Sequence, residues 1–161
     1  TGSGCIAVSL LTMEPELNGI AADLSEKALA VARENAVLHH VEDRLVFRCA
    51  DLFDGCGETV DLIVSNPPYI ATAAIDSLME EVRDHEPRMA LDGGADGLDF
   101  YRRILQGAGA HLKDGGYLIV EIGYDQGDAV RSMFDDCGYE SVRVIRDLAG
   151  LNRIVLGRRG A

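Results

Sequence analysis

Basic residues are scarce in this chain: 15 Lys and Arg stand against 27 Asp and Glu, a formal net charge of −12 over 161 residues. Tight, non-specific binding of nucleic acid depends on neutralising phosphates with cationic side chains, so it is not expected here. The acidic balance favours a protein or small-molecule substrate, although a nucleic-acid enzyme with contacts from another domain stays compatible with it. No run of about 18 apolar residues occurs, and no basic, apolar, small-residue leader opens the sequence. Neither a membrane span nor a secretory signal is expected, and a cytoplasmic location is. Cysteine is sparse: Cys5, Cys49, Cys56 and Cys137 form no C-x-x-C pair and have no histidine set nearby. That pattern argues against a metal site and for four reduced thiols. Cys5 and Cys49 lie in apolar stretches and read as small core hydrophobes.

Proline is also rare, with four residues in all, yet two of them are adjacent in Asn66-Pro67-Pro68-Tyr69. They follow Val60-Asp61-Leu62-Ile63-Val64-Ser65, which reads as a buried strand. Two prolines stop that strand, because neither has a backbone N–H and each fixes its own φ. The residue before a proline is pushed out of the helical region as well. Asn66 is thereby placed at the carboxyl end of a strand, where open α/β sheets bind their ligands. Its amide oxygen and the carbonyl of Pro67 are acceptors for both hydrogens of a planar –NH₂ group, and Tyr69 offers a flat face beside it. An Asn-Pro pair also begins ordinary turns; the strand-end position favours the site.

Short apolar runs alternate with longer periodic ones, the signature of βα units and a largely parallel sheet. Helices are predicted from Gly4 to about Leu11, after Ser25 to about Leu38, over Leu98–Leu112 and over 126–137. Strands are predicted at Leu17–Ala22, Leu45–Ala50, 60–65 and Tyr117–Ile122, with Gly115-Gly116 as punctuation before the last. Val142–Ile145 and Arg153–Leu156 flank Gly150 as an antiparallel hairpin. The length suits one domain over 1–161. The fold class is α/β: a doubly wound, mostly parallel sheet with an antiparallel C-terminal hairpin. Thr1-Gly2-Ser3-Gly4 looks like a loop that should follow a central strand, so residues upstream of Thr1 are expected in the natural protein. The long stretch from Pro67 to about Gly97 is expected to be irregular and to close over substrate.

Gly2-Ser3-Gly4-Cys5-Ile6-Ala7 satisfies G-x-G-x-x-G/A, a turn that presents a helix N-terminus to a nucleotide-like ligand. Asp23, followed by Leu24, ends the second predicted strand and is placed to accept hydrogen bonds from ribose hydroxyls. The same geometry serves NAD or S-adenosylmethionine. Asp51, at the end of the next strand, favours the latter by accepting from the exocyclic amine of adenine, with Leu52 or Phe53 against the ring. Asp51 capping the turn before Asp54-Gly55 is the plainer alternative. Asp61 and Ser65 report strand polarity, His39-His40 suit a helix C-terminus, and Glu80-Glu81 and Asp135-Asp136 are solvated faces. His85 reads as a solvated or hydrogen-bonded loop residue. Glu121, inside an apolar strand, needs a partner.

The glycine loop, Asp23, Asp51 and Asn66-Pro67-Pro68-Tyr69, in this order, resemble the S-adenosylmethionine-dependent amino-methyltransferases. The stretch from Glu86 to Arg102, with Asp92-Gly93-Gly94-Ala95-Asp96-Gly97, is similar to a segment of the peptide-chain-release-factor glutamine methyltransferases, the PrmC or HemK family. Gly115 to Gly123 and Arg146-Asp147-Leu148-Ala149-Gly150 look like that family's last strands. The resemblance implies a doubly wound sheet of the Rossmann-like class I methyltransferase type and S-adenosylmethionine as cofactor, held by Gly2, Ser3, Gly4, Asp23, Leu24, Asp51, Leu52 and Asn66. It further implies methylation of the glutamine amide in a Gly-Gly-Gln motif of class 1 release factors. In that reading Asn66, Pro67, Pro68 and Tyr69 orient the –NH₂ group. The rival readings are a nucleic-acid amino-methyltransferase, which must unstack its base, and a dinucleotide-dependent or purely binding module.

Overall fold

The structure, a computed structural model, describes residues 1–79 and 87–160. The chain gathers into two compact units, Thr1–Gly57 and Glu58–Ala161. The first holds α1 (Cys5–Met13), β1 (Gly19–Asp23), α2 (Glu26–Leu38) and β2 (Leu45–Cys49). β1 and β2 pair in parallel from Gly19↔Leu45 to Asp23↔Cys49, with α2 making the crossover that parallel strands require. Ser25 has an extended backbone and its hydroxyl accepts from Ala28 N, as an N-cap should. Val8, Leu11, Ala21, Ala36, Val41 and Leu45 form the core of this unit. Arg44 closes the far end of α1, donating to Leu11 O at 2.7 Å and Leu17 O at 2.9 Å. A cation there both satisfies terminal carbonyls and complements the helix dipole.

Cys5 and Cys49 are exposed, which corrects the expectation that they sit in the core. Cys5 opens α1 before its buried face at Val8 and Leu11 begins, and Cys49 is the last residue of β2. Neither strand-end nor helix-start positions are covered by the small core of this unit.

The second unit holds β3 (Val60–Ser65), α3 (Asp99–His111), β4 (Leu112–Glu121), α4 (Gly127–Asp136), β5 (Tyr139–Arg146) and β6 (Asn152–Arg159). Its sheet runs β3-β4-β6-β5. β3 and β4 are parallel, while β6 is antiparallel to both β4 and β5. The predicted C-terminal hairpin is therefore present, and its second strand lies inside the sheet. Asp147 shapes the connection, accepting from Ala149 N at 2.9 Å and Leu151 N at 3.0 Å. Tyr101, Ile104, Leu105 and Ala108 are the buried face of α3, and Val130 and Phe134 that of α4. The rings of Phe134 and Tyr139 lie 5.2 Å apart. A Cβ at Gly157 of β6 would come within 2.7 Å of Phe134, so that glycine lets the ring lie on the strand.

Gly115 and Gly116 do not end an element. β4 starts at Leu112 and passes through both, with the register to β3 slipping between Val60 and Leu62. Gly115 absorbs the irregularity at φ 78°, a conformation open to glycine. The irregular stretch carries a 3₁₀ turn at Thr72–Ser77, a helical turn at Arg88–Leu91 and a bridge between Ile70 and Asp92. Glu80, Glu81 and His85 lie outside the described residues. Among the described residues no helix is long and apolar enough to cross a membrane.

Several aspartates are held below the usual carboxylate range. The Arg102 guanidinium, and then Leu98 N, bring Asp96 down to about 2. The Thr72 hydroxyl and Gly94 N lower Asp92, and Leu151 N leads the groups lowering Asp147. A depressed folded-state value contributes stability that is present above the unfolded value of about 3.9 and lost as pH falls through the folded one. The urea midpoint is thus expected to drop between about pH 4 and about pH 2, and Asp96→Asn should flatten the drop. An acid-insensitive midpoint in the wild type would contradict this.

Candidate active site

In the first unit, the carboxyl ends of β1 and β2 bring the predicted cofactor residues together. Asp23 Oδ2 accepts from Gly2 N at 2.7 Å, while Oδ1 accepts from Ser25 N at 2.8 Å. Burial raises this carboxyl, and the Gly2 and Ser25 N–H groups act against it. Asp23 therefore organises the glycine turn directly. Gly2 N and Ser25 N engage one acceptor position on each oxygen, and the remaining positions are those a ribose hydroxyl would use. Gly2 (φ 59°) has open space where a Cβ would stand, so its backbone is free for close approach of a ligand. Gly4 serves packing instead: its Cβ would come within 2.9 Å of Ala32 Cβ, so the glycine lets α1 start against α2. Ser3 O accepts from Asn35 Nδ2 at 2.9 Å.

Asp51 follows β2 on the same edge as Asp23, tied by Ala50 N donating to Asp23 O at 3.0 Å. Its carbonyl accepts from Asp54 N at 3.1 Å, so the expected turn is present. Leu52 adopts φ 52°. Left-handed backbone at a non-glycine residue costs about 1–2 kcal/mol and concentrates at ligand-binding positions. Leu24 is exposed, and its carbonyl accepts from the Cys49 thiol at 3.5 Å.

In the second unit, β3 ends at Ser65 and hands the chain to Asn66, which is exposed, and to Pro67, which is buried. Pro68 and Tyr69 are half-buried. Beyond Tyr69 the main chain is clamped. Ile70 N donates to Leu91 O at 3.0 Å, Gly93 N to Ile70 O at 2.8 Å, and Thr72 N to Gly94 O at 2.9 Å. A Cβ at Gly93 would stand 2.8 Å from Tyr69 Cα and 2.9 Å from Pro68 O. One at Gly97 would fall on Tyr69 O. Glycine at 93 and 97 is thus what lets the 92–98 segment wrap the Pro68-Tyr69 backbone. Asp92 fixes its start, accepting from Thr72 Oγ1 at 2.6 Å and Gly94 N at 3.1 Å. The Asp96–Arg102 pair fixes its end, with Leu98 N on Asp96 Oδ1 at 3.1 Å.

Gly93, Gly97 and Gln126 are the site-forming residues that the chemistry of the motifs does not single out. The clustering of glycines in an otherwise irregular stretch is the signal for the first two. Glu121 is half-buried and adds to the acidic surroundings that raise Arg153, after the leading contribution of Asp147. Asp61 is ion-paired with Lys113 at 2.8 Å on the surface, as strand polarity implies.

A family model described as methyltransferase small domain matches residues 1–95. The chain belongs to that family. This methyltransferase domain has S-adenosylmethionine as its cofactor, and acceptors at two adjacent strand ends beside an open glycine turn fit the adenosine part of it. It is 52% identical over 158 residues to a release factor glutamine methyltransferase of Cereibacter sphaeroides, covering 98% of this chain and 57% of that protein. A protein of the same description from Caulobacter vibrioides is 48% identical, with 97% and 54% covered. The methyltransferase domain thus spans a little over half the length of these curated relatives. A solved methyltransferase from Pyrococcus furiosus superposes with a TM-score of 0.72 at 19% identity, over 100% of this chain and 72% of that one. The fold is the Rossmann-like α/β fold of class I methyltransferases.

Proposed function

We propose that this domain transfers the methyl group of S-adenosylmethionine to the side-chain amide nitrogen of a glutamine in a class 1 peptide chain release factor, within its Gly-Gly-Gln motif. The observation that carries the reading is Asn66, exposed at the end of β3 and followed by a Pro68–Thr72 main chain that residues 91–97 clamp. The relatives named for release factor glutamine methylation support the substrate class, and the net charge of −12 favours a protein over nucleic acid.

When bound, the cofactor supplies an electrophilic methyl on a sulfonium. The residues of this chain present the nucleophile. An amide nitrogen is a poor one, because its lone pair is delocalised into the carbonyl. The Asn66 amide oxygen and the Pro67 carbonyl accept its two hydrogens, favour electron density on nitrogen and fix its direction. Tyr69 lies along the amide plane. No strong general base is called for before transfer, since the proton becomes acidic only as the N–C bond forms. Positioning of this kind is worth roughly 7–11 kcal/mol in favourable cases.

Asp23→Ala is expected to weaken S-adenosylmethionine binding by roughly ten- to a hundredfold, the worth of about 1.5–3 kcal/mol for a hydrogen bond to a charged group. The loss combines the remaining acceptor positions with loosening of the Gly2 turn. Isothermal titration checks it, and an unchanged Kd would remove Asp23 from the cofactor site. The function itself is tested with full-length protein and labelled S-adenosylmethionine, offered unmodified release factor, duplex DNA and ribosomal RNA in parallel. Label on the Gly-Gly-Gln glutamine supports the proposal. Label confined to nucleic acid replaces it with an exocyclic-amine methyltransferase acting through the same Asn66.

A further inference from the structure

We infer that Gln126 is a positioning residue of the methyl-accepting site, holding the main chain of Tyr69 in place through a side-chain amide fixed in one orientation; the role assigned rests on the glutamine-methylation reading. Gln126 Nε2 donates to Tyr69 O at 2.9 Å and to Gly97 O at 3.2 Å. Its Oε1 accepts from Gly123 N at 3.0 Å and from the Tyr101 hydroxyl at 3.2 Å. Both amide hydrogens are engaged and Oε1 accepts the Gly123 N–H, with the single Tyr101 hydrogen shared between Oε1 and Glu121 O, so only one orientation serves. Reversing it would set an N–H₂ against the Gly123 N–H and an oxygen against two carbonyls. The Tyr101 hydroxyl also reaches Glu121 O at 3.0 Å, which extends the network to the carboxyl end of β4. Residues 57 apart in sequence are thereby joined at the final residue of the Asn-Pro-Pro-Tyr motif.

The position of Gln126 makes a purely local role a poor account of it. It is the N-cap of α4, and its side chain makes no capping bond to that helix. Ser, Thr, Asp or Asn are the residues that stabilise such a position. Here the side chain reaches away from its own helix to Tyr69 O, on which Gly97 also packs, and to the carbonyl of Gly97 itself. With Asn66 and the Pro67 carbonyl as the substrate's acceptors, a shift of Tyr69 tilts both. A misplacement of about 1 Å can cost ~100-fold in rate.

The test uses full-length wild type, Gln126→Glu and Tyr101→Phe, with labelled S-adenosylmethionine and release factor. A carboxylate at 126 faces two carbonyl oxygens, whereas its protonated form can donate to one of them. Q126E is therefore expected to lose about tenfold or more in kcat at about pH 8, with the cofactor Kd within about twofold. The ratio of its kcat to wild type should climb as pH is lowered towards about 6, because a carboxyl without a cation partner has a raised pKa. Tyr101, whose hydroxyl burial pushes well above that range, stays neutral throughout, and the surrounding Glu121, Asp125 and Arg153, the last paired with Asp147, are common to both proteins. A wild-type kcat at both pH values overturns the role, as does a pH-independent loss shared equally with cofactor affinity. If Q126E does not fold, Y101F carries the decision, since it deletes one donor to Oε1 and keeps the ring. A several-fold lower kcat at unchanged cofactor Kd supports the role, and full kcat overturns it. If wild type itself leaves release factor unmethylated, the functional reading fails separately. Amide hydrogen exchange over 69–72 then decides for Gln126: faster exchange in Q126E supports the clamp and unchanged exchange removes it.

Discussion

Asn66→Ala is expected to lower methyl transfer by about a hundredfold or more while S-adenosylmethionine still binds within about twofold of wild type. The asymmetry comes from where Asn66 stands. It is exposed at the end of β3, whereas Gly2, Asp23, Asp51 and Leu52 occupy the ends of β1 and β2 in the other unit. Truncating its side chain removes one of two acceptors for the substrate –NH₂ group, so the nitrogen is neither enriched nor aimed. The second acceptor, a main-chain carbonyl, survives, and with it whatever binding the rest of the substrate provides. Asn66→Asp keeps an acceptor oxygen and should fall less far. Initial rates with labelled cofactor, alongside a calorimetric titration, measure both quantities. Parallel loss of rate and affinity would show that Asn66 serves the cofactor and not the acceptor.

Gly97→Ala is expected to destabilise the second unit by about 2–4 kcal/mol, and to reduce activity with it. Two costs combine. Gly97 has φ 76°, where a Cβ is strained, and that Cβ would fall on Tyr69 O and stand 2.8 Å from Gln126 Nε2. The backbone oxygen cannot retreat, because it is pinned by the glutamine amide. Gly138 provides the comparison. It has nearly the same φ, 78°, but nothing within 4 Å of the added atom. Gly138→Ala should therefore show the strain alone, about 1–2 kcal/mol. Urea unfolding of the pair separates crowding from strain, and equal midpoints for the two variants would mean that the clamp yields without cost.

Much of the fold was legible because it is local. Alternating apolar runs located all six strands, Ser25 announced α2, and Gly150 marked the C-terminal hairpin. The end of β3 before Asn66-Pro67-Pro68-Tyr69 was readable for the same reason, since two prolines dictate their own geometry whatever surrounds them. What escaped is non-local. Nothing near Gly97 says that Tyr69 O will lie where its Cβ would stand, and Gln126 looks like any polar residue beginning a helix. The register slip that carries β4 through Gly115-Gly116 depends on β3, 52 residues back at Asp61 and Lys113. Asp23 was recognised as a strand-end carboxylate, but that its oxygens would also hold Gly2 N and Ser25 N depends on how the turn folds over it. The exposure of Cys5 and Cys49 has a similar origin: apolar neighbours in sequence do not cover the ends of elements in a unit with so small a core.

The place of β6 between β4 and β5 also sets a timetable for synthesis. A polypeptide leaves the ribosome from its N-terminus, so β5 emerges before the strand it pairs with, and β4 emerges with one ladder still to be filled. Until residues 152–159 have emerged, the second unit carries bare edges and an uncovered Phe134–Tyr139 pair. A nascent chain stalled short of Asn152 is thus a target for chaperones and proteases, and the sheet closes in one late step when its inner strand arrives.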